Sequence, residues 1–236
     1  MKRFIISALA MALGAVSAHA ADVTVGVDNS SNCVPFGCAQ SNGLAVFQQI
    51  YTGSAFGAGA TIGSVSFFKD STAVAGATLE TMSFNLSFYV ATTSVAGLTT
   101  NPATNRGALL ADFGIFSISG AQPDVLTFAS PTAFAYDPSA GNLLLQLTVL
   151  SDTAPGAGAV FQSDIRTPAQ GAVSRRLIVT DFDFNFTATN GLVTGFSSAT
   201  RAVAPVPEPA SWTLMIIGFG AVGAAQRRRS LGVRFA

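Results

Sequence analysis

Thr81-Met82-Ser83-Phe84-Asn85-Leu86-Ser87-Phe88-Tyr89-Val90-Ala91 places Met82, Phe84, Leu86, Phe88 and Val90 on one side of an extended chain and Ser83, Asn85, Ser87, Tyr89 and Ala91 on the other. A two-residue apolar period fits a strand lying on a core and no helix. Working outward, Asp181 to Ala188 repeats the pattern, with Phe182, Phe184, Phe186 and Ala188 inward and Asp181, Asp183, Asn185 and Thr187 outward. Leu44 to Tyr51, Thr61 to Lys69, Asp112 to Ser119, Val125 to Ala129, Asn142 to Leu150, Ala172 to Thr180 and Leu192 to Phe196 add strands of the same character. Asn42-Gly43, Asp137-Pro138, Gly141-Asn142 and Asn190-Gly191 punctuate them with turn chemistry. About nine or ten strands without a sustained helical period predict an all-β ectodomain over 21–202, an antiparallel β-sandwich of jelly-roll kind, with a closed barrel as the alternative.

Composition agrees with this. The chain has 236 residues, 49% of them hydrophobic and 10% charged, too apolar for a disordered protein and long enough for one core. Its 19 Phe and 23 Gly suit strands and turns rather than long helices. Net charge is zero overall, but between Ala21 and Val206 six basic residues face eleven acidic ones, leaving −5. An acidic domain repels phosphate backbones, so nucleic acid is not an expected partner.

The two ends read differently from the middle. Lys2 and Arg3 precede an apolar run from Phe4 to Val16, and Ala18-His19-Ala20 offers the small residues that a signal peptidase reads, so 1–20 is expected to be a signal peptide cleaved after Ala20. His19 is the only histidine, and with it gone the mature chain has no imidazole for nucleophile activation, general-base catalysis or metal ligation. Near the other end, Val203-Ala204-Pro205-Val206-Pro207-Glu208-Pro209 must be an extended spacer, because each Pro removes a donor and restrains its predecessor. The spacer occupies 203–211. Trp212 then opens an apolar stretch closed by Arg227-Arg228-Arg229, within a segment 212–236 read as a short transmembrane helix and basic tail. Ala210 to Ala225 would make about 24 Å of helix against a hydrocarbon core of ~30 Å, a short span that snorkelling arginines can complete.

Pro207-Glu208-Pro209, Trp212, the Met-Ile-Ile-Gly-Phe-Gly run and the arginine cluster, in that order, resemble the PEP-CTERM sorting tail of Gram-negative bacteria. The resemblance implies an exported exosortase substrate, held in the inner membrane facing the periplasm and then passed to the cell surface or beyond, with signal peptidase and exosortase as partners. It also implies a link to exopolysaccharide, biofilm or floc formation. Ser230 to Ala236, beyond the arginines, departs from the pattern. Gln48 through Phe68 and Phe134 through Leu145 are similar to segments of other ectodomains of this group, a similarity that carries no activity; the Asp137 to Asn142 stretch reads as a tight turn.

Candidate chemistry within the domain is sparse. Cys33 and Cys38, in an exported segment, are expected to form a disulfide, with a metal site or free thiols as alternatives. Asp181, Asp183 and Asn185 could offer oxygens to calcium, but alternate residues on a strand stand roughly 6.5–7 Å apart, so a solvated face is the preferred reading and no cofactor or metal is expected. One glutamate, Glu80, among scattered aspartates gives no clear acid pair for glycoside hydrolysis, and no nucleophile elbow, phosphate loop or zinc cluster is present. Sugar-binding sandwiches stack rings on exposed aromatics, which leaves Tyr89, outward on its strand, as the candidate platform. The expected activity is a non-enzymatic surface or matrix role, the alternative a polysaccharide-binding module, with an enzyme third.

Overall fold

Around the decisive stretch, the chain forms a strand β5 over Thr78–Ala91 whose Met82, Phe84, Leu86 and Phe88 are all buried. The computed structural model describes residues 22–39, 43–181 and 185–200; the expected signal peptide, spacer and sorting helix lie outside the described residues. Before β5 come β1 (Val23–Val25), β2 (Ser30–Asn32), β3 (Leu44–Tyr51) and β4 (Ala60–Phe68). After it come β6 (Arg106–Ala121), β7 (Val125–Tyr136), β8 (Leu143–Ala154), β9 (Phe161–Asp164), β10 (Ser174–Thr180), β11 (Phe186–Ala188), β12 (Gly191–Leu192) and β13 (Thr194–Ser197).

Every pairing between these strands is antiparallel. A six-stranded sheet has the order β11-β10-β3-β8-β5-β6, a four-stranded sheet the order β1-β13-β4-β7, and a small sheet the order β12-β9-β2. The two larger sheets face each other through aromatic rings. Phe84 meets Phe128 at 5.2 Å, Phe88 meets Phe134 at 5.4 Å, and Tyr51 meets Phe196 at 5.1 Å. This is a β-sandwich, and the alternating Phe of the sequence are its core because a period of two puts them all on the inner face.

The outward residues of β5 are not all solvent-facing. Segment 92–105, which ends in a helical turn at Pro102–Asn105, lies over the outer face of the six-stranded sheet, and Leu98 packs there with Ile50, Ala91, Leu144 and Leu177. Buried amides fasten this cover. Gln48 Nε2 donates to the Pro102 carbonyl (2.9 Å) and to Gln146 Oε1 (2.8 Å), while Asn105 Nδ2 donates to Gln48 Oε1 (2.9 Å). Gln49, pointing the other way, uses its amide as a piece of strand: Nε2 donates to the Leu192 carbonyl (2.7 Å) and Oε1 accepts from the Leu192 N–H (2.8 Å).

Three expectations are corrected. Asp181 to Ala188 is not one strand: Ile178 pairs with Phe186 and Arg176 with Ala188, so the chain reverses between β10 and β11. Alternating Phe and Asp cannot distinguish a strand from the two arms of a reversal. Leu192 to Phe196 is cut at Val193, with β12 in the small sheet and β13 in the four-stranded one. Val90 is half-buried rather than core, because register shifts on either side of Tyr89 end the strict alternation.

Candidate functional site

Tyr89 sits near the end of β5, opposite Leu109 of β6 and Leu144 of β8. Its ring is half-buried against the Ile50, Ala91, Leu98, Leu144 and Leu177 cluster, and the Arg106 guanidinium lies over its face at 5.7 Å. A guanidinium on a ring face is attractive in itself and occupies the surface on which a sugar would stack. Asn85, on the same side, donates from Nδ2 to Asp112 Oδ1 (2.9 Å) and accepts from the Ser87 hydroxyl (2.8 Å).

Asp181 and Asn185 stand at either end of the β10–β11 reversal, and Asp183 lies outside the described residues. Asn185 Oδ1 accepts from the Thr180 N–H (3.3 Å), a local turn bond. Asp181 is exposed at the rim of a 310 Å³ cavity lined also by Gly43, Leu44, Ala45, Val149, Leu150, Ser151 and Asp152. The cavity exists because β3 and β8 pair only from Val46–Thr148 to Tyr51–Leu143, so β8 runs on without that neighbour. Both carboxylate oxygens of Asp152 are shielded there without a hydrogen-bond partner. Ser151, on the cavity wall, bonds through its hydroxyl to that of Ser83 (2.7 Å). Tyr89 lies six residues along β5 from Ser83, about 20 Å of extended chain, so the fold separates the aromatic candidate from the acidic one.

One acidic pair was invisible in the sequence. Asp28 and Asp70, 42 positions apart, line a 420 Å³ cavity with Asn29, Ser30, Ser31, Ser71 and Thr72. Asp70 is buried and its Oδ1 accepts from the Thr72 N–H at 2.7 Å. Slight local desolvation and then the neighbouring Asp70 carboxylate hold the exposed Asp28 carboxyl above its ordinary range. Asp28 precedes β2 and Asp70 follows β4, and only the tertiary fold joins them. Among the described residues no three His, Cys, Asp or Glu side chains converge in a way that could hold a metal ion.

Cys33 and Cys38 form a disulfide. Its loop is no surface ornament, for Phe36 at its tip is 1% exposed and touches the rings of Phe67, Phe84, Phe128 and Phe161 at 5.0–5.9 Å. Gly37 is needed beside it, since a Cβ there would run into the Ala159 carbonyl. A third depression, 360 Å³, lies on the outer face of the four-stranded sheet. There the Phe68 ring crosses over Gly195, with Ser64, Ser66 and Thr127 alongside.

The cleavage residues Ala18 and Ala20 and the sorting residues Pro207, Glu208, Pro209, Trp212, Arg227, Arg228 and Arg229 lie outside the described residues. Residues 205–229 match the PEP-CTERM protein-sorting motif, which marks an exported protein sorted by exosortase at the membrane. No curated protein and no solved structure matches the chain.

Proposed function

We propose that this is a non-enzymatic structural protein of the cell surface or extracellular matrix, released from its precursor by signal peptidase and exosortase and acting beside exopolysaccharide. The observation that carries this reading is the sorting motif at 205–229, which follows directly on a single β domain. The polar groups of that domain mostly serve the fold: Gln48, Gln49 and Asn105 fasten segments, and Arg106 and Asp112 engage Tyr89 and Asn85. The precursor is anchored in the inner membrane facing the periplasm, and calcium is not required.

A polysaccharide-binding module is the second reading, and a specific observation favours it. The depression at Phe68 combines an apolar ring with hydroxyls, the pairing that sugar recognition uses, and places the platform on the opposite sheet from Tyr89.

Expression of the full chain in an exosortase-bearing host tests the sorting part. The released protein is expected to start at Ala21 and to end near Pro209 by intact mass. A released form still carrying Trp212 to Ala236 would overturn exosortase processing. The same released material on a glycan array separates the two activities: no saturable binding supports the matrix role, whereas binding abolished by Phe68→Ala replaces it with the module.

A further inference from the structure

A β-sheet edge is a row of unpaired N–H and C=O groups, and folded proteins normally blunt it with shortness, proline, bulges or charge. Among the described residues, six strands are edges. β1, β2 and β11 are three residues long and β12 two. β7 is long but carries Pro131 inside a bulge, since β4 pairs with it at Ile62–Phe134 and next at Ser64–Ala129, leaving 130–133 unpaired. That leaves β6, sixteen residues at the end of the six-stranded sheet.

The two halves of β6 differ. From Arg106 to Gly114 its pairing with β5 shifts register three times, which coils the strand away from regular extension. Asp112 closes this half, its Oδ1 accepting from the Gly114 N–H at 2.8 Å. From Gly114 to Ile118 the pairing is regular, residue for residue, against Leu86 to Met82. The stretch Gly114-Ile115-Phe116-Ser117-Ile118-Ser119-Gly120 contains no charge and no proline, and Ile115 is 67% exposed, more than any other large hydrophobic side chain among the described residues. Uncharged, β-forming and open at an edge, it has the composition of a strand that recruits another strand.

We propose that β6 pairs antiparallel with β6 of a second copy of this chain, about a two-fold axis at Ser117. The pattern around Ser117 is self-complementary. Ser117 falls opposite Ser117, Phe116 opposite Ile118, and Ile115 opposite Ser119 of the second copy. β5 already makes pairs of the same kind on the other side of β6, with Ser83 opposite Ser117, Phe84 opposite Phe116 and Met82 opposite Ile118. On the inner face Phe116 is only partly buried although it meets Phe128 at 5.1 Å, so a strand added there completes its cover. With no ionised group from Phe113 to Ala121, two copies meet without like-charge repulsion. The six-stranded sheets of the two molecules then become one of twelve strands. This contact stands whether or not the ectodomain meets polysaccharide.

Sedimentation velocity on the purified full chain tests it, together with two variants at exposed Ser117. The wild-type protein is expected to show concentration-dependent dimerisation. Ser117→Lys, which sets two ammonium groups against each other at the axis, should weaken the dimer at least about tenfold while leaving unchanged the melting temperature measured at a dilution where both proteins are monomeric. Ser117→Cys should give a covalent dimer without reductant, because directly opposed residues bring their Cα atoms within disulfide reach, whereas Val74→Cys, exposed elsewhere, should not. A wild-type chain that stays monomeric at its highest soluble concentration overturns the proposal. So does self-association, for instance through the apolar tail, that Ser117→Lys leaves intact and Ser117→Cys does not capture.

Discussion

Tyr89 shows how far a single residue can be read from its strand. Its side is legible, because period-two alternation opposes it to Phe88, and the structure does put it on the outer face with Ala91. Its surroundings are not legible. The Leu98 cluster, carried by a segment whose path no pattern announces, and Arg106, at the start of β6, turn an outward ring into a packed one. Tyr89→Ala is therefore expected to lower stability by about 1–2 kcal/mol through lost apolar contact and the vacated guanidinium, visible as a lower urea midpoint. Any glycan binding by the folded fraction should be unaffected. An unchanged midpoint with lost binding would make Tyr89 a ligand platform after all. Gln48 and Gln49 carry the same lesson, since neighbouring and chemically identical side chains tie down a cover segment and an end strand on opposite faces of one sheet.

Among elements, the loop closed by Cys33 and Cys38 gains most from the fold. Two cysteines five apart announce a bridge in an exported chain, but they say nothing of Phe36, which inserts between both large sheets. The bridge holds that ring over the core, so its removal loosens packing as well as chain entropy. Cys33→Ser with Cys38→Ser is expected to cost about 2 kcal/mol, the loop-closure value for so small a ring. Phe36→Ala in the intact loop should cost about 3–5 kcal/mol, since it empties a site lined by four rings. A calorimetric comparison ranks the two; a double-serine variant as damaged as Phe36→Ala would mean that the loop leaves the core when opened. β7 makes the opposite point: the expected strand Val125 to Ala129 runs on to Tyr136, because a bulge around Pro131 lets it continue on the sheet edge.

For the molecule as a whole, acid sensitivity follows from where two aspartates lie. Burial works to raise the Asp164 carboxyl, but the Arg166 guanidinium, the Arg166 N–H and the Val27 N–H outweigh it and hold the group below its ordinary range. Such a group adds stability that is present above the unfolded carboxylate range and is lost as pH falls through the depressed value. Asp28, raised by slight local desolvation and by Asp70, acts the other way. It costs stability at neutral pH, and the cost is relieved as pH falls. Asp164→Asn should lower stability by about 2–3 kcal/mol at pH 7, with the gap closing towards pH 2, because Asp164 binds β9 of the end sheet to the N-terminal segment. Asp28→Asn should raise stability at pH 7 by less than about 1 kcal/mol, Asp28 being exposed, with no gain left in acid. Urea unfolding at the two pH values checks both signs.

The sequence by itself determined the sorting address, because the motif over 205–229 is a linear signal for exosortase at the membrane. It also determined the all-β class and the inner face of most long strands, since period two is a local property of extended backbone. Only the tertiary structure decided that Phe36 is core, that Asp28 meets Asp70, that Asp181 belongs to a reversal, and that β6 is the unblunted edge among the described strands. Each of these depends on which strands become neighbours. In an antiparallel sandwich that choice is made by pairings such as Gln49 with Arg176 or Ser83 with Ser151, between residues dozens of positions apart. A hydrogen-bond ladder uses the same backbone groups at every position, so strand order leaves little mark on the side-chain pattern.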